Sequence, residues 1–148
     1  MSPTSPDSSS PAGDPLEIPG PILLEMIQHC RREAPIEACG LLGGRPPRVS
    51  AIYPLRNAAA SETRYDADPG ELIAAVRDMR ERGTRILGIY HSHPKWPAVP
   101  SATDLRENYY EDVPRIIVSL RAPEAEVRVW RLEPDRFEEL PWRVVADG

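Results

Sequence analysis

"TRILGIYHSHPKWPAVPSATD", residues 84–104, runs from an apolar strand through a proline-punctuated loop into a capped helix. The stretch "TRILGIYHSH" is strongly apolar, which predicts a central strand. On a strand, residues two apart point the same way, so His91 and His93 project from one face and Ser92 from the other. Pro94 then breaks the ladder and is expected to leave both imidazoles at an exposed sheet edge rather than in the core. Past Pro100, Ser101 stands as the N-cap of a short helix and Asp104 at its third position. There the helix dipole favours the ionised carboxylate.

Two neutral imidazoles and a carboxylate make a three-ligand catalytic zinc set that leaves one position open to water. Each half of the pattern has an ordinary explanation when it stands alone. A histidine pair is weak evidence, and Ser-x-x-Asp is a common capping pattern. Ser101 can serve both as cap and in chemistry, whereas Asp104 is not expected to fold back on the cap while holding a metal. Joint occurrence favours chemistry, since chance produces the whole pattern in on the order of one in 10⁵ chains of this length.

Outward from this stretch, strands and helices mix without a regular βαβ repeat. "PGPILLEMIQHCRREAP" predicts a helix with Ile22, Leu23, Met26, Ile27 and Cys30 as its apolar stripe, ended by Pro35. "EACGLLGG" and "RVSAIYPL" read as strands joined by a turn at Gly43 to Pro47, and "TRYDAD" as a brief edge strand. Asp68 caps a second helix that buries Leu72, Ile73, Val76 and Met79 and stops at Gly83. "PRIIVSL", "EVRVWRL" and "FEELPWRV" supply closing strands. The class is α/β (α+β), a sandwich of helices around a mixed sheet. Residues 1–15, rich in proline and serine, are expected to be a disordered tail, and residues 16–148 the folded domain.

Composition excludes several roles. At 148 residues, 41% hydrophobic and 28% charged, the chain has the makeup of a soluble globular domain. A net charge of −5 argues against nucleic acid as partner. Cys30 and Cys39 are too few for a disulfide scaffold and read as buried residues of a reducing compartment. The N-terminus lacks the pattern of a secretory signal, and no apolar run reaches the roughly 18 residues of a membrane span. A cytoplasmic location without membrane partners is the expectation.

"HSHPKWPAVPSATD" resembles, without a gap, the JAMM (MPN+) metallopeptidase signature His-x-His-x7-Ser-x-x-Asp. That family also places a glutamate upstream beside an early strand, and "PIEACGLLGG" offers Glu37. The resemblance extends over roughly residues 20–135, through "RNAAAS…RYDADP" and "GIYHSHP", and is greatest to the small stand-alone bacterial members. It implies a single MPN-like domain with a cytidine-deaminase-like sheet. It implies one zinc ion held by His91, His93 and Asp104, with Glu37 as general acid/base and Ser101 steadying the oxyanion. It implies hydrolysis of an amide at the Gly-Gly C-terminus of a ubiquitin-fold or sulfur-carrier protein, with release of an amino acid, notably cysteine, in cysteine biosynthesis. The alternatives are an isopeptidase that removes a ubiquitin-like modifier from lysine and a non-catalytic MPN interaction module. A zinc deaminase lacks its Pro-Cys-x-x-Cys ligand pair here. Oligomeric state lies outside what the sequence gives, and ligand type alone leaves the native metal open beyond zinc.

Other side chains have plainer readings. Glu37 by itself would read as a solvated charge paired with Arg31 or Arg32. His29 reads as a packing or surface residue, Cys39 and Trp130 as core, and Trp96 as a wall of the substrate groove or an exposed loop aromatic. "RYDADP" could pair with an extended substrate by strand addition. The acidic run from Glu133 to Glu139 reads as a solvated turn.

Overall fold

The computed structural model describes residues 14–108 and 112–146. The elements run β1 (Leu16–Pro19), α1 (Gly20–Glu33), β2 (Cys39–Arg45), β3 (Arg48–Leu55), α2 (Pro69–Arg82), β4 (Arg85–His93), α3 (Ala102–Arg106), β5 (Arg115–Ser119), β6 (Glu126–Leu132), β7 (Phe137–Leu140) and β8 (Trp142–Val145). The strands form one mixed sheet in the order β7-β6-β5-β4-β2-β3-β1-β8. β4 lies inside it, antiparallel to β2 and parallel to β5. Except for Asp14 and Pro15, the expected N-terminal tail lies outside the described residues.

Only Pro141 separates β7 from β8, yet these two strands are the opposite edges of the sheet. Leu140 and Trp142 therefore lie within about 7 Å of each other, and the sheet has to curl to bring its edges to one corner. "FEELPWRV" is thus two strands rather than one, because proline breaks the ladder between them. β8 pairs in parallel with β1, from Leu16 opposite Trp142 to Pro19 opposite Val145. β1 escapes sequence reading because it is four residues long and its partner lies at the other end of the chain.

β4 divides the core, and a register shift against β2 between Ile86 and Gly88 turns Leu87 onto the face of Tyr90. Leu87 and Tyr90 pack with Met26, Cys30, Leu42 and Val118 around α1. Ile86 and Ile89 pack on the other face with Leu41, Leu55 and Met79 under α2. Helix α2 buries Ala75 and Met79 and half-buries Leu72 and Val76, a stripe at i, i+3, i+4 and i+7. Ile73, expected in that stripe, is instead 58% exposed, since it sits about 100° round the helix from Leu72. Asp68 accepts from the Glu71 N–H at 3.0 Å, and Gly83 closes the helix at φ 71°, where a side chain is disfavoured.

The predicted "TRYDAD" strand is absent. One bridge, Asn57 to Ala67, closes the base of a loop that passes over the C-terminal end of β4. Nor is the run Glu133 to Glu139 a simple solvated turn. Phe137–Leu140 is an edge strand whose Glu138 and Glu139 pair with Arg131 and Arg128 across the ladder. Among the described residues, no helix is long and apolar enough to cross a membrane.

Candidate active site

His91 and His93 lie on the α2 face of β4, in line with Ile89 and opposite Tyr90 and Ser92. Both rings are buried, at 1% and 2% exposure, so the expected exposed edge position is wrong. Pro94 does end β4, but the strand is flanked by β2 and β5, and two loops roof the rings. From the 57–67 loop, Tyr65 stacks on His91 with centroids 4.8 Å apart and planes 26° apart. From the other loop, the Pro97 carbonyl meets Nδ1 of His93 at 2.8 Å.

That contact sets the chemistry of His93. A carbonyl can only accept, so Nδ1 carries a proton, and the lone pair of the neutral ring lies on Nε2. This Nε2 faces Oδ2 of Asp104 at 3.1 Å and Nε2 of His91 at 3.2 Å. Nε2 of His91 meets Oδ1 of Asp104 at 3.1 Å. A lone pair and a carboxylate in contact, both buried, require a cation between them, either a proton or a metal. Zinc–ligand lengths of about 2.0–2.1 Å in a tetrahedron put ligand atoms about 3.3 Å apart. The three contacts are close to that edge length, so the donor set fits a zinc-sized ion. Among the described residues, these three side chains form the cluster able to hold one.

Electrostatics agree with the geometry. Burial opposes ionisation of Asp104, but the charge and hydrogen bond of His91, with bonds from His93 and the Ser101 N–H, outweigh it and hold the carboxyl far below its ordinary range. Burial likewise opposes protonation of His93, yet the Asp104 and Pro97 bonds raise it above its usual value. The pocket is built to hold positive charge.

Asp104 also does what was not expected of it. Ser101 N–H donates to its Oδ2 at 2.8 Å, while Asp104 N–H donates to Ser101 Oγ at 3.0 Å, a complete capping box. The carboxylate folds back on the cap and still faces both imidazoles, because each oxygen has a second lone pair to offer. Ser101 Oγ accepts that N–H and keeps its own proton for another acceptor.

Glu37 lies two residues before β2, whose Cys39 is the ladder partner of His91. It is 2% exposed, and its Oε1 has no hydrogen-bond partner. Burial pushes its carboxyl up to about 7, with His91 and His93 opposing. It is not paired with the helix arginines; Arg31 donates instead to the Pro123 carbonyl. A cleft of about 440 Å³ opens beside Asp104, lined by Arg64, Tyr65, Leu72, Thr103 and Glu107. Trp96 stands 55% exposed on its loop and is not among the residues that line this cleft.

The remaining candidates take no part in the cluster. His29 is buried, and its Nδ1 meets the Tyr90 hydroxyl at 2.7 Å. Cys39 and Trp130 are core, as expected. Burial pushes the Cys30 and Cys39 thiols up to about 12, which leaves them protonated and poor nucleophiles.

Three supporting residues were missed. Ser92, between the histidines, accepts from the Ala38 N–H through Oγ at 2.8 Å, and its own N–H donates to the Ala38 carbonyl at 3.0 Å. This couples the histidine strand to the residue after Glu37. Asn57 and Tyr65 both belong to the 57–67 loop; the available signals were an asparagine two residues past a strand, a usual turn former, and the "RNAAAS…RYDADP" stretch that holds them both.

The chain matches the family model for prokaryotic homologs of the JAB domain over residues 19–133. It is 43% identical over 103 residues to a probable TtuB-protein conjugate cleaving protease of Thermus thermophilus, covering 69% of this chain and 68% of that one. It is 37% identical over 126 residues to the CysO-cysteine peptidase of Mycobacterium tuberculosis, covering 81% and 84%. A desampylase of Haloferax volcanii is 31% identical over 122 residues, covering 78% and 86%. Among solved structures, a Desulfitobacterium hafniense protein superposes with a TM-score of 0.82 at 35% identity, covering 89% of this chain and 94% of that one. A JAB1/MPN domain protein of Archaeoglobus fulgidus shares the fold at a TM-score of 0.59 and 18% identity, covering 90% and 100%. Fold, motif and sequence agree, and the chain belongs to the family of prokaryotic homologs of the JAB domain.

Proposed function

We propose that this protein is a zinc metallopeptidase that hydrolyses an amide bond at the Gly-Gly C-terminus of a ubiquitin-like or sulfur-carrier protein. One observation carries the reading. A buried carboxylate, Glu37, stands two residues before Cys39, the ladder partner of His91, and is not itself one of the convergent His91–His93–Asp104 set. A zinc peptidase needs that division of labour: ligands to hold the ion, and a separate base to handle the proton.

In this reading His91, His93 and Asp104 hold the zinc. What the ion supplies when bound is a water whose pKa falls to about 7 and a polarised substrate carbonyl. Glu37 accepts one proton from the attacking water and passes it to the amide nitrogen as the C–N bond breaks. Burial raises that carboxyl in the metal-free protein, which favours its holding the proton, while a cation on the histidines would favour its release. Ser101 donates its hydroxyl to the carbonyl oxygen as negative charge develops there. Tyr65 and the Pro97 carbonyl hold the two imidazoles at fixed angles. A tail of glycines suits so enclosed a site, because its backbone can approach without side chains.

The relatives' names point to two substrate types: CysO-cysteine, for the CysO-cysteine peptidase, and TtuB-protein conjugates, for the probable conjugate cleaving protease. We assign this chain to the first, which its match covers more fully, and to the cytoplasm, where Cys30 and Cys39 stay reduced. The second, an isopeptidase, is the competing reading. Mass spectrometry separates them: a carrier protein ending in Gly-Gly-Cys is expected to lose one cysteine, while a lysine-linked conjugate stays intact. Metal analysis of the same preparation is expected to give about one zinc per chain, and almost none in a His91→Ala, His93→Ala double variant. If neither substrate shortens in the zinc-loaded protein, the peptidase reading fails.

A further inference from the structure

We infer that Asn57 is a positioning residue for the reaction, holding the backbone of Glu37 in register with the histidine strand through its side-chain amide. The inference rests on the peptidase reading above, in which Glu37 is the base.

Asn57 lies just past β3 and is buried at the root of the 57–67 loop. A carboxamide has two N–H donors and an oxygen with two lone pairs. All four are used. Nδ2 donates to the Glu37 carbonyl at 2.9 Å and the Arg64 carbonyl at 3.0 Å. Oδ1 accepts from the Ala59 N–H at 3.0 Å and the Asp66 N–H at 2.9 Å. Every partner is a backbone group of fixed polarity, so the amide has one possible orientation. Aspartate, almost the same shape, would turn an oxygen toward two carbonyls.

The bonds extend the contact between the two chain segments past the end of the β2–β3 ladder, whose last pair is Cys39 with Leu55. Glu37 is gripped at both backbone groups by the loop: its carbonyl by Asn57, and its N–H by the Ser61 carbonyl at 2.9 Å. Between Asn57 and Ser61 the chain turns tightly, with Ala60 at φ 47° and its N–H donating to the Asn57 carbonyl at 3.0 Å. The Arg64 and Asp66 bonds bracket Tyr65, the ring that stacks on His91. One amide therefore bonds the backbone that carries the base and the backbone on either side of the ring that stacks on His91. Ser92 ties Ala38 to β4 from the other side. Glu37 thus sits between two clamps, and Asn57 is the side chain in the second one.

Misplacing a catalytic group by about 1 Å costs on the order of 10²-fold. In the zinc-loaded protein, acting on a carrier that ends in Gly-Gly-Cys, Asn57→Asp and Asn57→Ala are each expected to lower kcat by about 10- to 100-fold. KM and zinc per chain are expected to stay at wild-type values. The deciding comparison is a double-mutant cycle. If Asn57 acts through Glu37, adding Asn57→Asp to Glu37→Gln lowers the residual rate no further. The inference is overturned if the two losses multiply, if zinc falls in step with rate, or if kcat is unchanged. A measurement without variants guards against misfolding. In the intact protein, the Asn57 carboxamide protons are expected to exchange far more slowly than those of exposed Gln28; equal rates overturn the inference. Failure of the reading beneath it shows separately, as a Glu37→Gln protein that keeps the wild-type rate.

Discussion

Glu37, the base of the proposed mechanism, illustrates how one buried carboxyl sets stability. Its ordinary value of 4.5 rises to about 7 because burial penalises the charged form. A raised carboxyl destabilises the fold as it ionises, so the effect is absent below pH 4.5 and complete above about 7. At about 1.4 kcal/mol per pH unit, this amounts to about 3 kcal/mol in the metal-free protein. His93 acts in the same direction, since its raised value stabilises the fold at low pH and that contribution is lost as pH rises through it. Asp104 acts oppositely, losing its contribution as pH falls below the carboxylate range. Chelator-treated protein is therefore expected to become less stable to urea between pH 4.5 and 7, and in Glu37→Gln most of that slope is expected to vanish. An unchanged slope would show that Glu37 titrates normally.

At the scale of elements, α3 is five residues long and too short to persist unaided. Its capping box and the packing of Leu105 on the Ala98–Trp130 cluster hold it where Asp104 meets the histidines. Ser101 therefore serves the helix and, in the proposed mechanism, the substrate carbonyl. The two roles can be separated, because glycine at an N-cap costs only a few tenths of a kcal/mol and alanine about 1 kcal/mol. Ser101→Gly is expected to melt within about a degree or two of wild type yet to lose about 10²–10³-fold in kcat. Ser101→Ala is expected to lose both. A Ser101→Gly enzyme of normal rate would remove the hydroxyl from the mechanism.

For the molecule as a whole, the curled sheet brings together residues that no single element could. The histidines come from the end of β4, the carboxylate from the β4–β5 crossover, and Glu37 from the entry to β2. They meet beyond the carboxyl end of a parallel strand pair, where open α/β sheets generally place ligands. An ion bound here links the segments and favours the folded state by mass action. Zinc at about 100 times its dissociation constant is expected to add about 2.7 kcal/mol to stability, and nothing in the His91→Ala, His93→Ala variant. Equal stabilisation of both proteins in a calorimetric scan would place the ion elsewhere.

Local pattern alone determined what depends on near neighbours. The two-residue period of β4 put His91 and His93 on one face, and the three-residue step from Ser101 to Asp104 marked the cap. Helix α2 was legible from Asp68 to Gly83 because its cap, stripe and stop are all local. The folded chain decided the rest. It buried imidazoles that the motif alone was expected to leave exposed, and let Asp104 cap and face them together. It paired β1 with β8 across most of the chain, and closed Asn57 around the backbone of Glu37. Each of these outcomes depends on hydrogen bonds and packing between segments distant in sequence, which no local period encodes.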